Sequence, residues 1–177
     1  MCRIVGRCEP LGATESTVLG PFWVDGSPLR NYGDPIFDSA AGEPAWVHGR
    51  VLDLDGVPIA AAELDVSQND ATQLHSVQDD NAPEAHLRGR FRTRADGSYA
   101  FLAGSRSEHG SDRPVVHIHM IVSALGFETL TTHVFDAESP HLDSDAVFAV
   151  KPSLLRRFVR DGERWSVESD IVQTPST

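Results

Sequence analysis

The chain has 177 residues, of which 40% are hydrophobic and 23% are charged, so we expect one buried core and a single domain over residues 1–177, with residues 1–13 mobile. The formal net charge of -11 argues against nucleic acid and anionic membranes as partners, because both require clustered Lys and Arg. No apolar run has the length of a membrane span or the pattern of a signal peptide, which predicts a cytoplasmic protein acting on a small molecule.

Short apolar runs broken by Gly, Pro, Asn and Asp recur along the chain, and this pattern predicts strands rather than helices. The first two candidate strands are residues 45–52 and 62–66. The turn signal Asp53-Leu54-Asp55-Gly56 follows the first strand, so we expect the two to form a hairpin.

A second hairpin is predicted around Asp96-Gly97, because this dipeptide between two apolar runs is a strong turn signal. Only residues 145–157 offer scope for a helix, and Pro152 limits it. The fold class that follows is all-β, a sandwich with long loops and little helix. The other candidate strands are residues 91–93, 99–102, 115–122, 129–135 and 164–172.

The motif His117-Ile118-His119 is the sharpest local feature of the sequence. Alternate residues of a strand point to the same face, so the two imidazoles could bind one metal ion while Ile118 points into the opposite layer. The flanking residues are apolar, and buried imidazoles need partners. The motif alone leaves two interpretations open, a metal site and a hydrogen-bonded structural pair.

Several sequence blocks, in the same order, resemble those of the intradiol ring-cleaving dioxygenases. The last two blocks are especially similar to the hydroxyquinol 1,2-dioxygenase branch. The blocks are residues 14–22 (TESTVLGPF), 87–93 (LRGRFRT), 96–101 (DGSYAF), 113–114 (RP), 117–119 (HIH), 131–135 (TTHVF) and 142–148 (LDSDAVF).

This resemblance implies a β-sandwich that holds Fe(III) between two histidines and two tyrosines. The histidines correspond to His117 and His119, and His75 stands at the position of the first tyrosine. The loop that carries the second tyrosine is shorter here. His109 either takes that place or matches a family histidine that is not a ligand, and His86 is the competing fourth ligand.

Replacement of both tyrosinates would favour a divalent ion, because neutral imidazoles leave the charge of the ion uncompensated. We expect one non-haem metal ion, with iron as the first choice and copper or zinc as alternatives. An imidazole that binds metal is a poor proton acceptor, so the catalytic base is expected to be a metal-bound hydroxide, Glu108 or His133.

The resemblance also implies the remaining site residues and the activity. Arg113 is similar to the arginine that stabilises negative charge on the substrate, and the aromatic pocket is implied to be lined by Val18, Leu19, Gly20 and Pro21. The predicted protein is a metal-dependent oxidoreductase that acts with O2 on a catechol- or hydroxyquinol-type aromatic, as a homodimer. The alternatives are a metal-dependent hydrolase, isomerase or cyclase without O2 chemistry, and a non-catalytic relative.

Overall fold

The computed structural model describes residues 10–19, 25–37, 44–68, 87–104, 117–139, 142 and 150–177. Ten strands lie within these ranges: β1 Ala45–Leu52, β2 Glu63–Gln68, β3 Arg88–Arg92, β4 Ser98–Ala103, β5 His117–Ser123, β6 Leu130–Asp136, β7 Leu155–Arg156, β8 Val159–Asp161, β9 Arg164–Glu168 and β10 Ile171–Val172. A 3-10 turn, Pro152–Leu154, begins at the proline that limited the predicted helix. Across the described part of the chain we find no helix with the length and apolar character to span a membrane.

The strands form two sheets. In the first, β1 pairs antiparallel with β4 on one edge and parallel with β9 and β10 on the other, and β8 extends the sheet from β9. The second sheet has the order β3-β2-β5-β6-β7 and is antiparallel except for the parallel pair β6 and β7. The predicted all-β sandwich is confirmed.

One hydrophobic core lies between the two sheets. Val47 and Phe101 of the first sheet and Leu64 and Met120 of the second are all fully buried and belong to a single cluster. Burial of side chains of this size stabilises the fold by about 1.5–3 kcal/mol each. The sandwich is therefore held together chiefly by the inward-facing residues of both sheets.

Strand alternation also decides which residues face away from this core. Ile118 belongs to the core cluster, as predicted, so the histidines on either side, His117 and His119, lie on the outer face of the second sheet. Val134 of β6 is also in the core cluster, which places its neighbour His133 on the same outer face.

The predicted hairpin between residues 45–52 and 62–66 is wrong, although both strands form. β1 lies in the first sheet and β2 in the second, and both edges of β1 are occupied by other strands. The turn at Asp53 does form, but the chain follows β1 only as far as Ile59, whose N–H donates to the Val51 carbonyl at 2.8 Å. It then crosses to the other sheet.

The predicted hairpin around Asp96-Gly97 is also wrong. The turn is present, with Gly97 at φ +75° and its N–H donating to the Arg94 carbonyl at 2.9 Å. However, β3 pairs with β2, while β4 pairs with β1. The Gly97 carbonyl accepts from the Val51 N–H at 2.9 Å, which fixes this turn to β1 and carries the chain from one sheet to the other.

The predicted strand at residues 164–172 is divided into β9 and β10 by Ser169 and Asp170. At this break the backbone passes very close to Gly49 of β1, where a Cβ would lie 2.1 Å from the Ser169 carbonyl oxygen. The Tyr99 hydroxyl donates to the same carbonyl at 2.6 Å. Glycine at this position lets both short strands run along β1 in the same direction.

Candidate metal centre

Three histidines meet on the outer face of the second sheet: His117 and His119 of β5 and His133 of β6. Each offers a ring nitrogen, and these nitrogens lie within 4.8 Å of one another. The ring centroids of His119 and His133 are 4.1 Å apart, those of His117 and His119 are 4.7 Å apart, and those of His117 and His133 are 5.5 Å apart. We call these three residues the histidine cluster.

The histidine cluster is shielded from solvent. His117 is 6% exposed and His133 is 2% exposed, while His119 is half-buried. The ring of Phe135, itself fully buried, stacks on His133 with the centroids 5.3 Å apart and lies 5.7 Å from His117. Phe135 thus forms an apolar wall beside the histidine cluster.

The donor set of the histidine cluster fits a first-row divalent metal ion. Imidazole suits iron, copper and zinc alike. Bond lengths of about 2.1 Å to such an ion bring three ligand nitrogens to roughly 3–4 Å of each other. Nitrogens already within 4.8 Å can reach this spacing through small side-chain rotations. Three ligands on one face also leave positions open for water or substrate.

An N-terminal segment, residues 14–18, lies across β6 and is called the strap here. At its start the Thr14 N–H donates to the Val172 carbonyl at 2.9 Å, and the Thr14 hydroxyl accepts from the Val172 N–H at 2.8 Å. Near its end the Thr17 N–H donates to the Thr131 carbonyl at 2.8 Å. The strap is therefore fixed to the sandwich on both sides of its midpoint.

The side chain of Glu15 adds a further attachment of the strap. Its carboxylate accepts a short hydrogen bond from the Ser153 hydroxyl and lies 3.3 Å from the Lys151 ammonium. The Ser153 hydrogen bond, followed by the Lys151 interaction, lowers the pKa of Glu15 from its usual value. The carboxylate is thus favoured in its charged form, and the attachment is present at neutral pH.

Thr17 connects the strap to the histidine cluster. Its hydroxyl oxygen lies 2.6 Å from Nδ1 of His133 and 3.4 Å from the Thr131 carbonyl oxygen. The next two residues of the chain, Val18 and Leu19, are 56% and 45% exposed. Apolar side chains thus lie in solvent directly after the residue that contacts the cluster.

A buried arginine occupies the same cross-strand row as two of the histidines. Arg88 pairs with Ser67, Ser67 pairs with His119, and His119 pairs with His133. Arg88 is 7% exposed, and within the described part of the chain no carboxylate pairs with its guanidinium. By contrast, Arg90 lies 3.4 Å from a carboxylate oxygen of Glu63. Arg88 thus lies on the same outer face as the cluster and is separated from His119 by β2.

The other predicted site residues cannot be located, because they fall outside the described ranges. They are the proposed ligands His75 and His109, the competing ligand His86, the candidate base Glu108, the substrate arginine Arg113 and the pocket residues Gly20 and Pro21. The structure therefore brings together two of the four predicted ligands and adds His133 to them.

Both tyrosines of the chain lie with the first sheet. Tyr99 of β4 is 1% exposed, its hydroxyl donates to Ser169, and burial raises its pKa far above the usual value. Tyr32 packs edge-on against Trp46 of β1, with ring centroids 6.3 Å apart, and the Arg94 guanidinium carbon lies 3.4 Å from its ring centre. The histidine cluster lies on the outer face of the other sheet.

Sequence reasoning named His133 as a candidate base and did not place Thr17 in the site. The sequence does contain a signal for the placement of His133 beside His119, because Gly126 lies seven residues after His119 and seven before His133. A turn centred on this glycine, which has φ +84°, pairs the two histidines directly. Nothing comparable pointed to Thr17, because its contact with His133 joins residues 116 positions apart.

The fold and the cluster together define a β-sandwich protein with a histidine-lined site on the outer face of one sheet. A family profile described as Dioxygenase matches residues 18–172. A hydroxyquinol 1,2-dioxygenase of Rhizobium sp. (strain MTP-10005) is 42% identical, over 95% of this chain and 67% of its own length. A 6-chlorohydroxyquinol 1,2-dioxygenase of Cupriavidus pinatubonensis (strain JMP 134 / LMG 1197) is 36% identical over the same shares.

A solved hydroxyquinol 1,2-dioxygenase from Pseudomonas putida DLL-E4 superposes with a TM-score of 0.82 at 33% identity, covering 93% of this chain and 67% of that one. The chain belongs to the intradiol ring-cleavage dioxygenase family, which confirms the resemblance of the sequence blocks. It spans about two thirds of the length of these relatives. Family membership and the histidine cluster together imply a non-haem metal site.

Proposed function

We propose that this protein is a metal-dependent oxidoreductase that acts with O2 on a catechol- or hydroxyquinol-type aromatic. The observation that carries the proposal is the buried histidine cluster, formed on a sandwich whose relatives are named hydroxyquinol 1,2-dioxygenases. The names of these relatives indicate the class of substrate by analogy, and the histidine cluster indicates that the reaction depends on a metal ion.

The proposed metal ligands include His117 and His119, with His75 and His109 as further candidates. Iron is the first choice of metal, and copper or zinc are the alternatives. Neither tyrosine of the chain lies with the cluster, so we expect a site without phenolate ligands, which favours a divalent ion. When bound, a redox-active ion would supply the electron-transfer chemistry between an electron-rich aromatic and O2.

The substrate is proposed to bind on the outer face of the second sheet, beside the end of the strap. Val18 and Leu19 are exposed apolar side chains next to the site, and with Gly20 and Pro21 they are the proposed lining for an aromatic ring. Arg113 keeps its proposed role in stabilising negative charge on the substrate.

The test combines metal analysis with oxygen consumption. Protein reconstituted separately with Fe(II), Cu(II) and Zn(II) is offered catechol and hydroxyquinol, while an electrode follows O2 and mass spectrometry identifies products formed under ¹⁸O2. We expect one metal ion per chain, O2 uptake with iron or copper, and a ring-cleaved product that contains both labelled atoms. His117→Ala and His119→Ala should lose metal.

His48→Ala is the matched control, because His48 lies on β1 of the first sheet and its ring nitrogen is 3.4 Å from the Ser166 hydroxyl. This variant should keep its metal. Turnover with zinc and without O2 would contradict the oxidoreductase proposal in favour of a hydrolase, isomerase or cyclase. Protein that binds no metal under any condition would contradict the site itself.

A further inference from the structure

We infer that His133 is itself a metal ligand, binding through Nε2, and that Thr17 is the positioning residue that fixes its ring. This inference rests on the proposed metal site and extends it. It replaces the expectation that His133 acts as a catalytic base. The proposed centre then presents a face of three imidazoles from two adjacent strands.

His133 is placed beside the histidines of β5 by the backbone. It is the direct cross-strand partner of His119 in the antiparallel pair β5 and β6. Such partners have Cβ atoms about 4.5–5.5 Å apart and project from the same face. His133 is also 2% exposed, so its ring is held against the other two rings and away from bulk water. The hairpin of β5 and β6 therefore places a third imidazole in the cluster.

The orientation of the His133 ring decides which of its two nitrogens faces the ion. Nδ1 of His133 lies 2.6 Å from the Thr17 hydroxyl oxygen. This contact turns Nδ1 toward the strap, so Nε2 is the nitrogen suited to the cluster. A metal-binding histidine commonly makes this pairing, with one ring nitrogen on the metal and the other hydrogen-bonded to a fixed group.

The position of the ring proton of His133 follows from the contacts of the Thr17 hydroxyl. The Thr17 hydroxyl also lies 3.4 Å from the Thr131 carbonyl oxygen, which can only accept. With the hydroxyl hydrogen directed to that carbonyl, the hydroxyl oxygen accepts from Nδ1–H of His133. Nδ1 then carries the ring proton, and the Nε2 lone pair is in the form that binds a metal ion. Thr17 thus selects the tautomer as well as the orientation.

Thr17 is itself held in a fixed position. Its backbone N–H donates to the Thr131 carbonyl at 2.8 Å, which sets the position of the hydroxyl against β6. On the preceding residues, the Ser16 carbonyl accepts from the Lys151 ammonium at 2.9 Å and the Glu15 carbonyl accepts from the Thr132 hydroxyl at 3.0 Å. The hydroxyl that orients His133 is therefore held by several bonds.

The experiment measures metal affinity and ligand count rather than turnover. Cu(II) and Co(II) are the probes, with affinity obtained by competition with a chromophoric chelator and bound imidazoles counted by pulsed paramagnetic resonance of the Cu(II) form. We expect His133→Ala to show one imidazole fewer and at least tenfold weaker Co(II) binding. Thr17→Val should weaken binding about 10–100-fold, and Thr17→Ser should restore it.

His48→Ala is again the matched control, because His48 lies on β1 of the first sheet and its ring nitrogen is 3.4 Å from the Ser166 hydroxyl. It should leave the imidazole count unchanged. Far-UV circular dichroism of every variant reports on folding. Should His133→Ala misfold, the Thr17 pair still tests the inference.

Three results separate the failure of this inference from the failure of the proposed metal site. Loss of metal from His117→Ala and His119→Ala, with an unchanged imidazole count and affinity in His133→Ala, would overturn the ligand role of His133 alone. Retention of metal by all three alanine variants would overturn the metal site and the inference with it. Equal affinity of Thr17→Val and the unaltered protein would remove the positioning role of Thr17.

Discussion

Residue identity and residue position contribute separately to the histidine cluster. His117 and His119 share a face because they alternate along one strand, and this could be seen in the sequence. His133 joins them because the turn at Gly126 sets the register of β6 against β5. Thr17 joins through a segment far away in sequence. A residue was harder to predict as a member of the site when its placement depended on cross-strand register or on contacts distant in sequence instead of on strand alternation.

Substitution of the two tyrosines tests whether either side chain is a metal ligand. Tyr99→Phe and Tyr32→Phe should leave metal content and the visible spectrum unchanged, because both side chains lie with the first sheet. Tyr99→Phe should still lower the free energy of unfolding by about 1–3 kcal/mol, since the Ser169 carbonyl loses its buried donor. Urea denaturation and absorption spectroscopy check the two expectations. Loss of a visible band in either variant would indicate a tyrosinate ligand.

At the scale of the elements, β1 organises the first sheet and the crossings to the second. Its edges bind β4 on one side and β9 and β10 on the other, and the turn at Gly97 is fixed to Val51 near its end. Local turn signals were correct at both predicted hairpins, yet the strands beyond them went to different sheets. Pairing was decided by which edges were available and by the burial of both inner faces.

The close approach of Ser169 to Gly49 yields a prediction for this element. Gly49→Ala should lower the free energy of unfolding by about 1–3 kcal/mol, because its Cβ would lie 2.1 Å from a backbone oxygen that cannot move without breaking the path from β9 to β10. Gly12→Ala is the control, since nothing lies within 4 Å of the added methyl group. Equal midpoints in a denaturant titration would contradict this account of the crossing.

For the molecule as a whole, the proposed metal site would couple the hairpin of β5 and β6 to the strap. Because an unfolded chain lacks the assembled cluster, a bound ion should stabilise the folded state. The net charge of -11 adds self-repulsion that a bound cation would reduce. The homodimer and the cytoplasmic location stay predictions, and sedimentation of the purified protein tests the first.

Removal of the metal should therefore lower the thermal midpoint. Saturation at a hundredfold excess over Kd contributes about 2.7 kcal/mol, and in a chain of this size each kcal/mol shifts the midpoint by roughly 2–4 °C. We expect calorimetry to show a decrease of about 5–10 °C after chelation, reversed by Zn(II) or Fe(II). Mg(II) is the control ion, because it prefers oxygen ligands and should not restore the midpoint. An unchanged midpoint after verified metal loss would contradict coupling between the site and the fold.

The amino-acid sequence was sufficient to predict the all-β class, the position of most strands, the two histidines of β5 and the family to which the chain belongs. These features depend on alternation, turn chemistry and short motifs, which are local. The pairing of the strands, the place of His133 in the cluster and its contact with Thr17 became visible in the three-dimensional structure alone. Sheet edges, cross-strand register and the path of the strap depend on contacts between residues far apart in the chain, which local preference does not specify.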